Sequence, residues 1–159
     1  MTIKTGDRIP SATLNTLKDG VQAISTDELF NGKKLVLFSV PGAFTPTCSA
    51  KHLPGYVQHL PDFKAKGVDV ACIAVNDAFV MGAWAKNQNV PDELIMLADG
   101  NGEFSEALGL ELDASAFGMG KRGKRFALYA EDGVVKQLHV EAPGEFKVSS
   151  AEAMLAALG

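Results

Sequence analysis

Two short runs of almost uninterrupted apolar residues constrain the fold of this chain most strongly. They are LVLFSV at 35–40 and VDVACIAV at 68–75. Strands that are apolar at nearly every position are typical of the centre of a parallel sheet, where helices cover both faces. Shorter apolar runs predict further strands at 94–98, 125–130 and 134–140, and helical patterns lie between the strands at 46–66, 78–88 and 103–109. The alternation predicts an α/β fold.

The pattern changes towards the C-terminus. Glu131-Asp132-Gly133 joins the last two strand-like runs directly and predicts an antiparallel hairpin, so the sheet should be mixed. The final segment, SSAEAMLAALG, begins with a predicted capping box formed by Ser149 and Glu152 and should form a helix over one sheet face. With 159 residues and no linker-like segment, we expect one domain over residues 1–159.

Charge and composition exclude several functional classes. The 15 Lys and Arg residues against 19 Asp and Glu residues give a net charge of −4, and no basic block is present, so nucleic acid is not an expected partner. No apolar run reaches the roughly 20 residues needed to cross a bilayer, and the first residues lack the apolar core of a signal peptide. We therefore expect a cytoplasmic protein that does not bind membranes.

The cysteines and histidines are few and scattered. The cysteines are Cys48 and Cys72, too few for a disulfide scaffold, and the three histidines at 52, 59 and 139 have no metal-ligand spacing. No metal site is predicted. Since Cys72 lies inside an apolar strand, we interpret it as a buried structural residue.

The segment PGAFTPTC at 41–48 predicts a reactive thiol. Pro41 and Gly42 end the strand, and Pro46 suits the first position of a helix. Thr45 would then be the N-cap, with its hydroxyl accepting a bond from a backbone N–H in the first turn. Cys48 would lie in that turn, where the helix dipole favours the thiolate, at the carboxyl end of a strand. The first cysteine of a C-x-x-C motif is absent, which disfavours a disulfide oxidoreductase.

Four segments resemble the peroxiredoxins, specifically the type II or peroxiredoxin-5-like subgroup. They are PGAFTPTCS, CIAVNDAFVMGAWAK, ADGNGEFSEALGLELD and GKRGKRFALY, and the resemblance runs from about residue 4 to residue 158. It implies a thioredoxin-like fold with a central mixed sheet flanked by helices. It further implies a thiol peroxidase that needs no cofactor and reduces hydrogen peroxide and alkyl hydroperoxides.

The resemblance also implies roles for individual residues. Cys48 would attack the peroxide and become a sulfenic acid, Thr45 would hold the peroxide, and Pro41 would shield the sulfur from water. Arg125 is the best match to the arginine that stabilises thiolate and peroxide, with Arg122 as second choice. A fixed guanidinium beside sulfur would favour the negative charge that spreads over the breaking bond.

Further residues are assigned to the pocket and its rim, where the subgroup also forms its dimer contact. These are Gly42, Phe44, Thr47, Leu112 and Phe117. His52, four residues after Cys48, could be imagined as the base of a hydrolytic Cys-His pair, but we interpret it as a partly exposed helix residue bordering the pocket.

The segment EFKVSSAEAML contains only serines where animal members of the subgroup carry a second, resolving cysteine. The resemblance therefore implies regeneration by an external thiol, either glutathione with glutaredoxin or thioredoxin, and it implies a homodimer. The alternative function is a redox sensor or thiol-dependent binding module that acts through oxidation of Cys48.

Overall fold

The two apolar runs form neighbouring parallel strands in the middle of a seven-stranded mixed sheet. A computed structural model describes residues 2–159 of the chain. The strand order is β2-β1-β5-β4-β3-β8-β9. The strands span Thr13–Leu17 (β1), Val21–Ser25 (β2), Lys34–Ser39 (β3), Asp69–Ala74 (β4), Leu94–Ala98 (β5), Phe126–Glu131 (β8) and Val134–Val140 (β9). A separate ribbon pairs Glu111–Asp113 (β6) with Lys121–Gly123 (β7).

Helices cover both faces of the sheet because side chains alternate along the central strands. Val36 and Phe38 of β3 face one apolar cluster, and Leu35 and Leu37 face the other. Helices α2, α3 and α5 pack in the first cluster, and α1 and α4 pack in the second. The helices span Thr26–Phe30 (α1), Leu53–Ala65 (α2), Ala78–Asn87 (α3), Glu103–Leu108 (α4) and Ala151–Leu158 (α5).

The long apolar runs and the mixed character of the sheet were predicted correctly. β4 is parallel to β3 and to β5, whereas β8 is antiparallel to β3 and to β9. The hairpin between β8 and β9 turns at Asp132 and Gly133, both with positive φ, as the two-residue turn requires. The prediction missed the β1–β2 hairpin because β2 lies at the sheet edge and has no buried residue, which leaves it without an apolar pattern.

The start of the last helix differs from the prediction. Ser150 caps α5 by accepting a bond from the Ala153 N–H (3.1 Å), so the predicted capping box of Ser149 and Glu152 is wrong. The Ser149 hydroxyl instead donates to the Glu141 carboxylate (2.7 Å). A hydrogen bond to a carboxylate is stronger than one between two neutral groups. The Ser149 hydroxyl therefore binds Glu141 and is not available to cap the helix.

The segment that leads into β8 is fixed against the end of β3. The Ser39 hydroxyl donates to the Lys124 carbonyl (2.9 Å). A Cβ at Gly123 would lie 3.0 Å from the Ser105 hydroxyl and 3.2 Å from the Ser39 hydroxyl, so any larger residue would have to displace these side chains. Arg125, the residue after Lys124, is thereby held beside the carboxyl end of β3.

Two features are lacking in the part of the chain that the structure describes. None of its helices has the length and apolar character that crossing a bilayer would take. Residues 2–159 also contain no cluster of three or more His, Cys, Asp or Glu side chains placed to hold a metal ion.

Candidate active site

Cys48 lies where β3 passes into the first turn of a helix, as predicted. Helical backbone begins at Pro46, passes through a π turn at Cys48–His52 and continues as α2. The π turn is closed by the Leu53 N–H, which donates to the Cys48 carbonyl. Such single π turns occur frequently at functional sites. The Cys48 side chain is fully buried.

The guanidinium of Arg125 contacts the sulfur of Cys48. Its Nη2 donates to Sγ over 3.1 Å, although the two residues lie 77 positions apart in the chain. Sheet topology explains the contact: Ser39 pairs with Phe126 across the antiparallel strands β3 and β8, so the start of β8 lies at the end of β3. The contact places the guanidinium directly beside the sulfur.

His52 also belongs to this site, contrary to the prediction of a partly exposed residue. It is fully buried, and its Nδ1 lies 2.8 Å from Nη1 of Arg125. Its Nε2 lies 3.0 Å from the Ser149 carbonyl. Burial, reinforced by the charge of Arg125, lowers the pKa of His52 to about 3. The ring is therefore neutral, which rules out the imidazolium of a hydrolytic Cys-His pair.

The hydrogen bonds of His52 fix its tautomer. A backbone carbonyl only accepts, so Nε2 must carry the proton that points at Ser149. Nδ1 is then an acceptor, which suits the N–H of Arg125. The guanidinium is thus held on one side by His52 and contacts Cys48 on the other. Sequence reasoning placed His52 near Cys48 but had no signal for its burial, because the groups that cover it come from distant segments.

Thr45 contributes differently from the prediction. Its hydroxyl donates to the Gly42 carbonyl (2.7 Å) and does not cap the helix, while its own carbonyl accepts from the Ser49 N–H (2.9 Å). The hydroxyl bond closes the loop between Gly42 and Thr45. Since the hydroxyl oxygen donates only once, it retains lone pairs that can accept a bond from a peroxide.

Arg122 holds the loop around Pro41 and does not hydrogen-bond to the sulfur. Its Nε donates to the Met119 carbonyl (3.0 Å), and its Nη1 lies 3.5 Å from the Pro41 carbonyl. A Cβ at the buried Gly42 would lie only 3.0 Å from this Nη1. Of the two candidate arginines, Arg125 reaches Cys48 and Arg122 braces the neighbouring loops.

The residues predicted at the rim are only partly brought together. Phe44 is half exposed with a φ of 65°, and Thr47 is exposed in the first helical turn. Leu112 pairs with Arg122 across the β6–β7 ribbon, which connects it to the loop that Arg122 braces. Phe117 is 83% exposed on a 3₁₀ turn. Their part in binding substrate stays a prediction.

Cys72 lies on β4 and is fully buried in the same apolar cluster as Cys48. Burial, followed by the neighbouring Cys48, raises the pKa of the Cys72 thiol well above its ordinary value, and Arg125 offsets only part of this. Both cysteines are free thiols. Trp84 of α3 is fully buried, and its indole N–H donates to the hydroxyl of Ser49, the residue after Cys48 (3.0 Å).

The lowered pKa of His52 predicts a specific loss of stability in acid. In the unfolded chain the ring takes up a proton below pH 6.5, whereas the folded protein resists protonation down to about pH 3. Stability should therefore fall as the pH drops through this window, by about 2 kcal/mol between pH 7 and pH 5. Urea unfolding of wild type and His52→Gln at both pH values measures the difference.

The Gln variant should lose about 2 kcal/mol less than wild type over this interval, because its amide does not titrate. His59 and His139 are present in both proteins and cancel in the comparison. Equal losses in the two proteins would contradict a neutral, buried His52.

Comparison with known proteins agrees with this geometry. A family model described as Redoxin matches residues 4–155. Peroxiredoxin-2E, chloroplastic, of Arabidopsis thaliana is 51% identical over 162 residues, covering 98% of this chain and 69% of the relative. Peroxiredoxin-2B of the same plant is 47% identical over 159 residues, covering 98% of each. Reduced Prx3 of Vibrio vulnificus, solved in complex with hydrogen peroxide, is 54% identical, with a TM-score of 0.95 over 99% of this chain and 100% of that one.

These matches confirm the thioredoxin-like fold, with its mixed sheet flanked by helices. They also confirm an enzyme of the thiol-dependent peroxidase class, because that is the activity of the family. The chain belongs to the Redoxin family and, within it, to the type II peroxiredoxins.

Proposed function

We propose that Cys48 is the thiol that reduces peroxide in this protein. The contact of 3.1 Å between its sulfur and Nη2 of Arg125 is the observation that carries the proposal. The thiolate attacks one peroxide oxygen, and the O–O bond breaks as the S–O bond forms. The other oxygen leaves with the bonding electrons and takes a proton to become water or an alcohol. Cys48 is oxidised to a sulfenic acid.

The neighbouring residues support this step. Negative charge moves from sulfur onto the departing oxygen, and Arg125 lies where a guanidinium can stabilise it at both positions. The Thr45 hydroxyl, held by the Gly42 carbonyl, can accept a bond from the peroxide. Arg122 braces the loop at Pro41 and Gly42, and we assign to Pro41 the shielding of the sulfur from water that the family resemblance implies. Peroxide is bound by fixed dipoles and charges, so no cofactor takes part in the proposed step.

Exchange of Arg125 for lysine keeps the positive charge and changes its shape, so it shows how much the shape of the cation contributes to the rate. An ammonium group cannot contact His52 and Cys48 in the fixed fork that guanidinium provides. We expect the second-order rate constant for hydrogen peroxide to fall about a hundredfold in Arg125→Lys. Rapid quenching followed by mass spectrometry of the sulfenic acid measures this step without a reductant.

Lys121→Gln is the matched control, because this exposed cation lies on β7, close to Arg125 in the chain. It should stay within about twofold of wild type. Cys48→Ser should lose the reaction completely. A wild-type rate no higher than that of free cysteine would instead favour the redox-sensor interpretation of Cys48.

We propose that an external thiol regenerates Cys48. Cys72 is buried, and the raised pKa of its thiol keeps it protonated, so it is a poor nucleophile. The external thiol attacks the sulfenic sulfur, water leaves, and a mixed disulfide forms. A second thiol then attacks this disulfide and restores Cys48. Glutathione with glutaredoxin, or thioredoxin, supplies this chemistry.

Peroxide turnover with each reducing system identifies the reductant and tests Cys72. Cys72→Ser should keep the wild-type turnover number, because the proposed cycle does not use that sulfur. The assay compares both proteins with glutathione plus glutaredoxin and with thioredoxin plus its reductase. Loss of turnover in Cys72→Ser, with an unchanged rate of sulfenic acid formation, would show that Cys72 resolves the sulfenic acid.

We further propose a homodimer that uses the rim of the site. Phe44 and Phe117 are 51% and 83% exposed, which is unusual for large aromatic side chains and is typical of interaction surfaces. Sedimentation should show a dimer for wild type and a monomer for Phe117→Lys. An unchanged sedimentation coefficient would exclude this surface. The cytoplasmic location stays a prediction.

A further inference from the structure

A buried carboxylate behind the active site has no role in the reaction described so far. Glu141 follows β9, is 7% exposed, and its backbone N–H donates to the Arg125 carbonyl (3.0 Å). Within residues 2–159 its carboxylate forms no ion pair. An isolated buried charge is costly unless hydrogen bonds compensate it.

One oxygen of Glu141 receives all of this compensation. Oε2 accepts from the backbone N–H groups of Lys147 (2.8 Å), Val148 (2.9 Å) and Ser149 (2.8 Å), and from the Ser149 hydroxyl (2.7 Å). Burial alone would raise the pKa of this carboxyl, but the bonds from Ser149 and from the backbone outweigh burial and hold the pKa below its usual value. The ionised carboxylate therefore fixes three consecutive residues.

The residue fixed most firmly presents its carbonyl to the active site. The Ser149 carbonyl accepts from the Tyr56 hydroxyl (2.8 Å) and from Nε2 of His52 (3.0 Å). This second bond keeps the proton on Nε2 and leaves Nδ1 as the acceptor for Arg125. Moving the carbonyl would release both the tautomer and the orientation of the ring.

The same loop places an aromatic ring against the guanidinium. Phe146 lies between Glu141 and Ser149 in the chain, and its ring centroid is 5.9 Å from Cζ of Arg125 and 5.0 Å from the His52 ring. A ring at this distance attracts a cation. The loop that Glu141 closes thus contacts Arg125 directly through Phe146 and indirectly through His52.

We propose that Glu141 is a positioning residue for peroxide reduction: by fixing the Ser149 carbonyl it orients His52, and through His52 it orients the guanidinium of Arg125 against Cys48. The inference rests on the proposed roles of Cys48 and Arg125. The bonds run from Glu141 to Ser149, from Ser149 to His52, from His52 to Arg125, and from Arg125 to the sulfur.

Glu141→Gln is the principal test. The amide is neutral, and its NH2 group would face backbone donors if it occupied the position of Oε2, so the loop should lose its fixed geometry. We expect the rate constant for sulfenic acid formation to fall about tenfold to a hundredfold, since small displacements of catalytic groups have costs of this size.

Glu145→Gln is a matched control. Glu145 lies in the same loop, pairs with Lys147 at the surface (3.1 Å), and is accessible to solvent. The rate in Glu145→Gln should stay within about twofold of wild type. An equal rate in wild type and folded Glu141→Gln would overturn the proposal, while an inactive wild type would overturn the proposed function itself.

A double-mutant cycle separates positioning from general stability. In a His52→Leu background the route through His52 is interrupted and only the contact of Phe146 with Arg125 remains, so Glu141→Gln should lower the rate by a clearly smaller factor than it does in the wild-type background. Full additivity of the two substitutions would overturn the proposed route. A purely structural role would lower the unfolding midpoint without this coupling in the rate.

A measurement on the wild-type protein provides a test that does not depend on the folding of any variant. The imidazole nitrogen NMR spectrum should show His52 neutral at pH 7 with its proton on Nε2. A proton on Nδ1 would mean that the ring does not accept from Arg125, and it would overturn the proposal whatever the variants do.

Discussion

The hydrogen bond from Arg125 to the sulfur of Cys48 is the interaction on which the site depends. Each partner is placed by an end of a central strand: Cys48 follows β3, and Arg125 precedes β8. Because these strands are antiparallel neighbours, the two ends coincide. Strand-borne groups are placed more precisely than groups on long loops, and the reaction requires that precision of the guanidinium. The central sheet is therefore part of the site and not merely its support.

The polar groups around this contact are buried in an apolar core, so each of them needs a hydrogen-bond partner within the protein. Cys48 and Tyr56 belong to the same apolar cluster, and Phe38 lies 5.0 Å from the His52 ring. In the described residues no fully buried side-chain nitrogen or oxygen lacks a hydrogen-bond partner. His52 fits here because a neutral imidazole both donates and accepts. A polar core that is fully satisfied in this way favours one arrangement over all others.

How much could be predicted from the sequence depends on how far apart in the chain the interacting residues lie. The apolar runs at 35–40 and 68–75 have a local pattern, and the strands were predicted from it. The turn chemistry around Pro46 likewise located the start of the helix. The prediction that the Thr45 hydroxyl caps the helix was wrong, because the hydroxyl donates to the Gly42 carbonyl instead, and local rules do not decide between that bond and a bond from a helix N–H.

Groups joined across the fold gave no such signal. His52 and the Ser149 carbonyl lie 97 positions apart, so neither the burial of the ring nor its tautomer is visible in the chain around either residue. Arg125 was found only because a family resemblance supplied it. Glu141 has no local motif at all, since three of the four groups that donate to its carboxylate are backbone N–H groups, which every residue except proline carries.

The hydrogen bond between Trp84 and Ser49 has an optical consequence. The chain has a single tryptophan, and its indole binds the residue next to the reacting sulfur. The tryptophan emission of the protein therefore comes from one indole, which lies on α3 and contacts the helical turn that carries Cys48. Any rearrangement of that turn during oxidation or reduction of Cys48 will change the surroundings of the indole, so each stage of the cycle can have its own intrinsic fluorescence without an added label.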